Sequence, residues 1–244
     1  MATKMLEIRH LHVSAGDRPI LHDISLTVGA GETHVLFGPN GSGKSCLLAT
    51  IMGLAPFVVT SGEILFRGEP LGRLSIDERA RLGLGMSFQR PPGLDGVTVA
   101  RFSEALKAAA VLEREAPALD LGDFAPRDIN VGFSGGEIKR WEILKLFLQQ
   151  PRLCLFDEPE SGVDLEHIAA VGNAIDRLLK AAPPGQEPRS ALVITHTGLI
   201  LEHVRADAGH MLVDGRITWS GEPRALFRHI QRNGYSRPAA LPQT

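Results

Sequence analysis

Cysteine is scarce in this chain, which carries thiols only at Cys46 and Cys154 among 244 residues. One falls just after a glycine-rich loop and the other inside a short apolar run, so neither is available for a disulfide and both read as small core residues. Two cysteines so placed are also no iron–sulfur ligand set, which takes about four. An excess of either charge is missing too. Lys and Arg number 26 against 28 Asp and Glu, a net charge of −2, and no basic run occurs. The electrostatic footprint of a nucleic-acid binder is therefore absent. No apolar stretch approaches the roughly 18 residues that cross a bilayer. Met1 to Glu7 lacks the apolar core of a signal peptide. The expectation is a cytoplasmic protein with no direct membrane insertion and no nucleic-acid partner.

What is present is enough for a large core. At 43% hydrophobic and 22% charged residues, the chain fits one α/β domain with an inserted lobe. The most informative segment is Gly38-Pro39-Asn40-Gly41-Ser42-Gly43-Lys44-Ser45, set between the apolar run His34 to Phe37 and the helix-like run Cys46 to Met52. The spacing G-x-x-x-x-G-K-S lets bare backbone curl around a polyphosphate so that successive N–H groups point at its oxygens. Lys44 is placed to reach the β- and γ-phosphates, and the Ser45 hydroxyl to sit on a bridging Mg²⁺. Leu153-Cys154-Leu155-Phe156-Asp157-Glu158 is a short apolar strand ending in paired carboxylates. Asp157 is expected to hold Mg²⁺ through water. Glu158, pointing to the other side because side chains alternate along a strand, is expected to act as general base on the attacking water.

Periodicity gives the outline of the rest. Alternating apolar residues from Leu6 to Val13 and from Ile24 to Val28 predict an antiparallel sheet against the P-loop strand. Helical spacing over 99–107 and 139–148, with a proline-broken segment over 116–128 between, predicts a helical lobe. Ala182 to Pro188 reads as a surface loop, Asp214-Gly215 as a hairpin turn, and the residues from Ser236 on as a loose tail. The resulting division is a nucleotide-binding core over 1–86 and 151–235, an inserted lobe over 87–150 and a flexible tail over 236–244.

Ahead of the carboxylate strand stands Asn130-Val131-Gly132-Phe133-Ser134-Gly135-Gly136-Glu137-Ile138-Lys139-Arg140, a loop opening a helix. A Ser N-cap followed by two glycines leaves free N–H groups at a positive helix end, an anion site. In this order after a P-loop, the segment resembles the signature loop of the ABC ATPase superfamily. That resemblance implies a RecA-like core with an antiparallel β subdomain and an inserted helical lobe. It implies that Ser134, Gly135 and Gly136 bind the γ-phosphate of a nucleotide held in a second subunit's P-loop. Gln89 matches the glutamine that touches Mg²⁺ and the attacking water. Ser161-Gly162-Val163-Asp164 matches the loop that crosses the dimer interface, and His196 the switch histidine that contacts the γ-phosphate. The implied activity is hydrolysis of MgATP in a transient ATP-sandwich dimer, with Lys44, Gln89, Glu158 and His196 as the catalytic set.

Within the superfamily, the run Ile129 to Leu144 is similar to the SufC family, the ATPases of iron–sulfur cluster assembly. Gly31-Glu32-Thr33-His34, Pro151-Arg152-Leu153-Cys154, Ser161-Gly162-Val163-Asp164 and Gly234-Tyr235 point the same way. A SufB- or SufD-like scaffold docking on the helical lobe is then the implied partner, and Lys139 is expected to pair with the Glu158 carboxylate in the resting subunit. Three departures bear on this: a shorter lobe, Cys46 in place of the usual Thr, and Pro159 as in transporters. The alternative is the ATP-binding subunit of a membrane transporter, whose lobe grips a permease. A DNA-clamping ATPase would need a long coiled coil between Lys44 and Ser134, where there is no room for one.

Overall fold

In the computed structural model, residues 3–181 and 188–236 are described. The loop expected over 182–188 lies outside them except for Pro188, as does the tail after Ser236. In chain order the strands are β1 (Lys4–Ala15), β2 (Arg18–Gly29), β3 (Thr33–Phe37), β4 (Phe57–Phe66), β5 (Glu69–Pro70), β6 (Leu84–Ser87), β7 (Leu94–Thr98), β8 (Asp128–Ile129), β9 (Leu153–Asp157), β10 (Ser190–Ile194), β11 (Ala208–Val213) and β12 (Arg216–Gly221). The helices are α1 (Lys44–Met52), α2 (Ile76–Leu82), α3 (Val99–Ala105), α4 (Ala109–Glu115), α5 (Gly135–Gln149), α6 (Leu165–Lys180) and α7 (Pro223–Asn233).

Strands β3, β9 and β10 are buried at every position, as expected of runs such as Leu-Cys-Leu-Phe that are covered on both faces. They sit inside a six-stranded sheet of order β12-β11-β3-β10-β9-β6, parallel except for β12. Alternate residues of each strand go to opposite faces. Val35, Phe37, Cys154, Phe156, Ala191 and Val193 join one apolar cluster with α5 and α6 residues such as Trp141, Ile143 and Ile175. Leu36, Leu153, Leu155, Leu192 and Ile194 join the other, which takes in Leu47, Leu48 and Ile51 of α1 and the inner faces of β1 and β2. The antiparallel sheet, order β2-β1-β4-β5, therefore covers the face of the parallel sheet that carries α1. On the opposite side Val99, Leu112 and Phe124 belong to the same cluster as Trp141, so the helices over 99–124 share their core with α5. The α/β class with an antiparallel sheet is the fold that the sequence predicts.

Local chemistry fixes the element ends. Gly43 (φ 103°) and Gly53 (φ 78°) bound α1 in left-handed conformations that other residues adopt only at a cost. At the far end of α1, Arg79 reaches over from α2 and donates to the carbonyls of Thr50 and Ile51, and also to those of Leu71 and Leu74. A cation on the last carbonyls of a helix complements its dipole, and here it also ties α2 to the P-loop helix. The Asp214-Gly215 turn has positive φ at both residues, the mirror-image turn that hairpins favour. Among the described residues no helix is long and apolar enough to cross a membrane.

One polar chain runs through the core. His210 Nδ1 lies 2.7 Å from Ser220 Oγ, His210 Nε2 lies 3.0 Å from His34 Nδ1, and His34 Nε2 lies 3.0 Å from Glu32 Oε2. With the Ser220 hydroxyl donating to His210, His210 to His34 and His34 to Glu32, every ring nitrogen is used and both rings are neutral. Burial depresses both imidazoles, His210 to about 3, with the His34 charge adding to that shift and Glu32 opposing it at His34. Since the unfolded chain binds protons near pH 6.5 and the folded chain does not, this pair contributes stability above pH 6.5 that is lost as pH falls towards about 3. The thermal midpoint is expected to rise with pH from about 3 to about 6.5 and to depend less on pH in His34→Gln/His210→Gln. An unchanged slope in the double variant would remove the pair from that role.

Candidate functional site

The P-loop connects β3 to α1 at the carboxyl edge of the parallel sheet, where α/β folds bind ligands. Its geometry leaves no choice of residue at Gly38, where a Cβ would stand 2.2 Å from the Leu212 carbonyl oxygen. Lys44 is only 5% exposed and donates to the carbonyls of Gly38 at 2.8 Å and Pro39 at 3.0 Å. Burial lowers its pKa, with Glu158 and Asp157 opposing. Ser45 Oγ donates to Asp157 Oδ1 at 3.0 Å. Burial raises the Asp157 carboxyl and the Glu158 charge adds to this, while the Ser45 hydroxyl holds it down.

Asn40, Gly41, Gly43, Lys44, Ser45, Gln89, Glu158 and His196 line one cavity of about 640 Å³. Residues from four segments of the chain thus converge on one face. Glu158 does not continue β9, which ends at Asp157. It has φ 50°, and its N–H donates to the Ile194 carbonyl at 3.2 Å. Strand alternation is therefore not what aims it; the chain turns left-handed at this residue. One carboxylate oxygen accepts from Gln89 Nε2 and the other meets His196 Nε2. The expected pairing of Lys139 with this carboxylate is not found. Lys139 Nζ donates instead to the main-chain carbonyls of Gln89 and Glu158, each at 3.0 Å. Both carbonyls point at the ammonium while the side chain of Glu158 points away to the cavity, so Lys139 staples two loops together at the backbone.

Cys46 also lines this cavity and is only partly buried, so it is not the core residue that the sequence suggests. Cys154 is: burial pushes its thiol up to about 12, which leaves it inert.

Ser134, Gly135 and Gly136 stand apart from the P-loop cavity. With Arg140, Gly162, Val163 and Asp164 they line a second cavity of about 330 Å³. Ser134 is the N-cap of α5 and forms a reciprocal capping box with Glu137, which fixes the start of the helix. The predicted loop Ser161 to Asp164 thus lies beside the signature loop of its own chain, while the P-loop set is gathered elsewhere.

Sequence reasoning missed Glu160. It is 4% exposed, and its Oε1 accepts from the hydroxyls of Thr195 and, at 3.2 Å, of Thr197, the residues either side of His196. Burial raises its pKa, against the Thr195 bond. A carboxylate two residues past Glu158 gives no signal of its own, because the partners lie in another segment. Glu160→Ala leaves both hydroxyls without this acceptor at a cost of about 1–3 kcal/mol. The thermal midpoint is expected to fall by several degrees and turnover by roughly tenfold, read by calorimetry and phosphate release. Equal turnover would separate Glu160 from His196.

A family model described as ABC transporter matches residues 21–161. The probable ATP-dependent transporter SufC of Escherichia coli K12 is 37% identical over 248 residues, covering 95% of this chain and 97% of that one. A probable ATP-dependent transporter of Cyanidium caldarium, ycf16, is 35% identical with 96% of each chain covered. A probable ABC transporter ATP-binding protein of Streptococcus pyogenes serotype M3 is 36% identical, covering 95% of this chain and 94% of its own. Among solved structures, a nucleotide-free ATP-binding cassette from an ABC transporter superposes with a TM-score of 0.77 at 20% identity, over 94% of this chain and 96% of that one.

Proposed function

The chain belongs to the ABC transporter family of ATPases, and on that premise we propose that it hydrolyses MgATP at a transient dimer interface to drive a SufB- or SufD-like scaffold in iron–sulfur cluster assembly. The observation that carries the catalytic part is the convergence of Lys44, Gln89, Glu158 and His196 on one cavity behind the P-loop. The likeness to SufC over nearly the full length of both chains supports the finer part, together with the SufC-like reading of Ile129 to Leu144.

The roles follow from position. Lys44 and the P-loop amides hold the polyphosphate. Glu158, facing the cavity between Gln89 and His196, takes the proton of the attacking water. Gln89 and His196 fix that carboxylate and steer it towards the γ-phosphate. Ser134 and Gly136 of the second subunit present helix N–H groups to the same phosphate, so ATP joins the two halves and hydrolysis parts them. The oxygen donors Ser45 and Asp157, joined at 3.0 Å, with Gln89 on the rim, suit Mg²⁺, which takes few protein ligands and shares phosphate oxygens. Bound there, the metal would neutralise charge on the β- and γ-phosphates.

The test is affinity purification from the native cell without detergent, with mass spectrometry of the captured proteins. A SufB- or SufD-like scaffold is expected. An integral membrane permease, recovered only with detergent, would overturn the scaffold reading in favour of a transporter's ATP-binding subunit, as the streptococcal relative is described.

A further inference from the structure

Helix α5 grips the Gln89 loop through a group that no step above uses. Glu142 is 1% exposed, and its Oε2 accepts the Phe88 N–H at 2.6 Å. Lys145 Nζ donates to the same oxygen at 2.7 Å, and its ammonium lies 4.8 Å from the centroid of the Phe88 ring. Phe88 lies past the end of β6, where its N–H has left the strand ladder, so the carboxylate supplies the acceptor that the sheet no longer does. A buried carboxylate is costly unless it is paired and hydrogen-bonded. Here the pairing ammonium comes from the next turn of the same helix and covers the ring of the residue that the carboxylate holds.

We propose that Glu142 is a positioning residue for the ATPase reaction: by holding the Phe88 N–H it sets the place of Gln89, and through Gln89 that of the Glu158 carboxylate. The proposal rests on the ATPase reading above. Helix α5 has 15 residues, about 22 Å of rigid rod, with Ser134 capping one end and Glu142 about two turns on. Lys139, one turn before Glu142, fastens the carbonyls of Gln89 and Glu158 to the same helix. Helix α5 thus holds consecutive residues of one loop by both an N–H and a carbonyl. The consequence is that the lie of α5, which carries the surface offered to the second subunit's nucleotide, also sets the catalytic loop of its own subunit.

Two double variants separate positioning from packing. Glu142→Gln/Lys145→Met keeps an oxygen acceptor for Phe88 and removes both charges; Glu142→Leu/Lys145→Met removes the acceptor as well. In the Leu/Met protein kcat for ATP is expected to fall roughly tenfold to hundredfold, the effect of a small misplacement at a reacting centre, with KM within about twofold of wild type. In the Gln/Met protein kcat is expected within about twofold of wild type. Amide exchange at Phe88 and Gln89 is expected to quicken in the Leu/Met protein alone. Equal kcat in the two variants, whatever their thermal midpoints, would overturn the proposal, as would unchanged exchange at Phe88 in the Leu/Met protein. The underlying ATPase reading is checked apart from this, by nucleotide titration and turnover of the wild-type chain.

Discussion

Glu158→Gln is expected to lower ATP turnover by roughly 10²–10⁴-fold, the range for removing a general base, and to leave nucleotide binding intact. The substitution is close to isosteric. The amide still reaches Gln89 and His196, the groups that hold the carboxylate now, but it no longer accepts a proton from water. Phosphate release under excess ATP reads the first effect and titration with a fluorescent ATP analogue the second. Blocked hydrolysis also leaves the nucleotide-joined dimer intact, so the variant is expected to elute as a dimer with MgATP where the wild type does not. Turnover near that of wild type would remove Glu158 from the chemistry, whatever its place in the cavity.

For Gly136→Asp, a loss of turnover of roughly 10²-fold or more is expected, with the fold and ATP affinity of the isolated subunit unchanged. A Cβ at Gly136 meets nothing within 4 Å, and an acidic residue in the first turn of α5 suits the helix dipole. The thermal midpoint should therefore hold or rise slightly. The harm arises only in the dimer, where the new carboxylate would face the γ-phosphate of the partner's nucleotide. Mixing with excess Lys44→Met chain sharpens the test. Each mixed dimer then has one site in which an intact P-loop faces an intact signature loop, and one that carries both lesions, so part of the activity should return. No recovery in the mixture, or an unaltered rate in Gly136→Asp alone, would remove the signature loop from the partner's site.

Much of this was legible because it is local. Gly38 and Gly43 announce a phosphate loop, since their backbone positions exclude a side chain, and such exclusions are written in consecutive letters. Ser134 with Glu137 spells its own capping box, and Asp214-Gly215 its own turn. What escaped depends on pairs far apart in sequence. His34 and His210 are separated by 176 residues, and Glu142 is 54 residues from the N–H that it holds. Glu160 finds its threonines 35 and 37 residues on. For Lys139 a resemblance names the residue and not the oxygen it meets: the partners are two main-chain carbonyls, not the Glu158 carboxylate. Strand alternation does not aim Glu158, because the strand has already ended and a left-handed turn sets its direction.

The order of strands in the parallel sheet governs when the chain becomes an enzyme. Strand β3, which delivers the P-loop, lies between β10 and β11, paired with Ala191 to Ile194 on one side and Ala208 to Met211 on the other. Both neighbours leave the ribosome long after the glycine-rich motif itself. A nascent chain ending at α6 holds every residue of the phosphate loop and has no sheet to stretch it on. Contacts so distant in sequence form late and slowly, so nucleotide affinity should arrive only once β10 and β11 have been made, and chains that stop before them should consume no ATP.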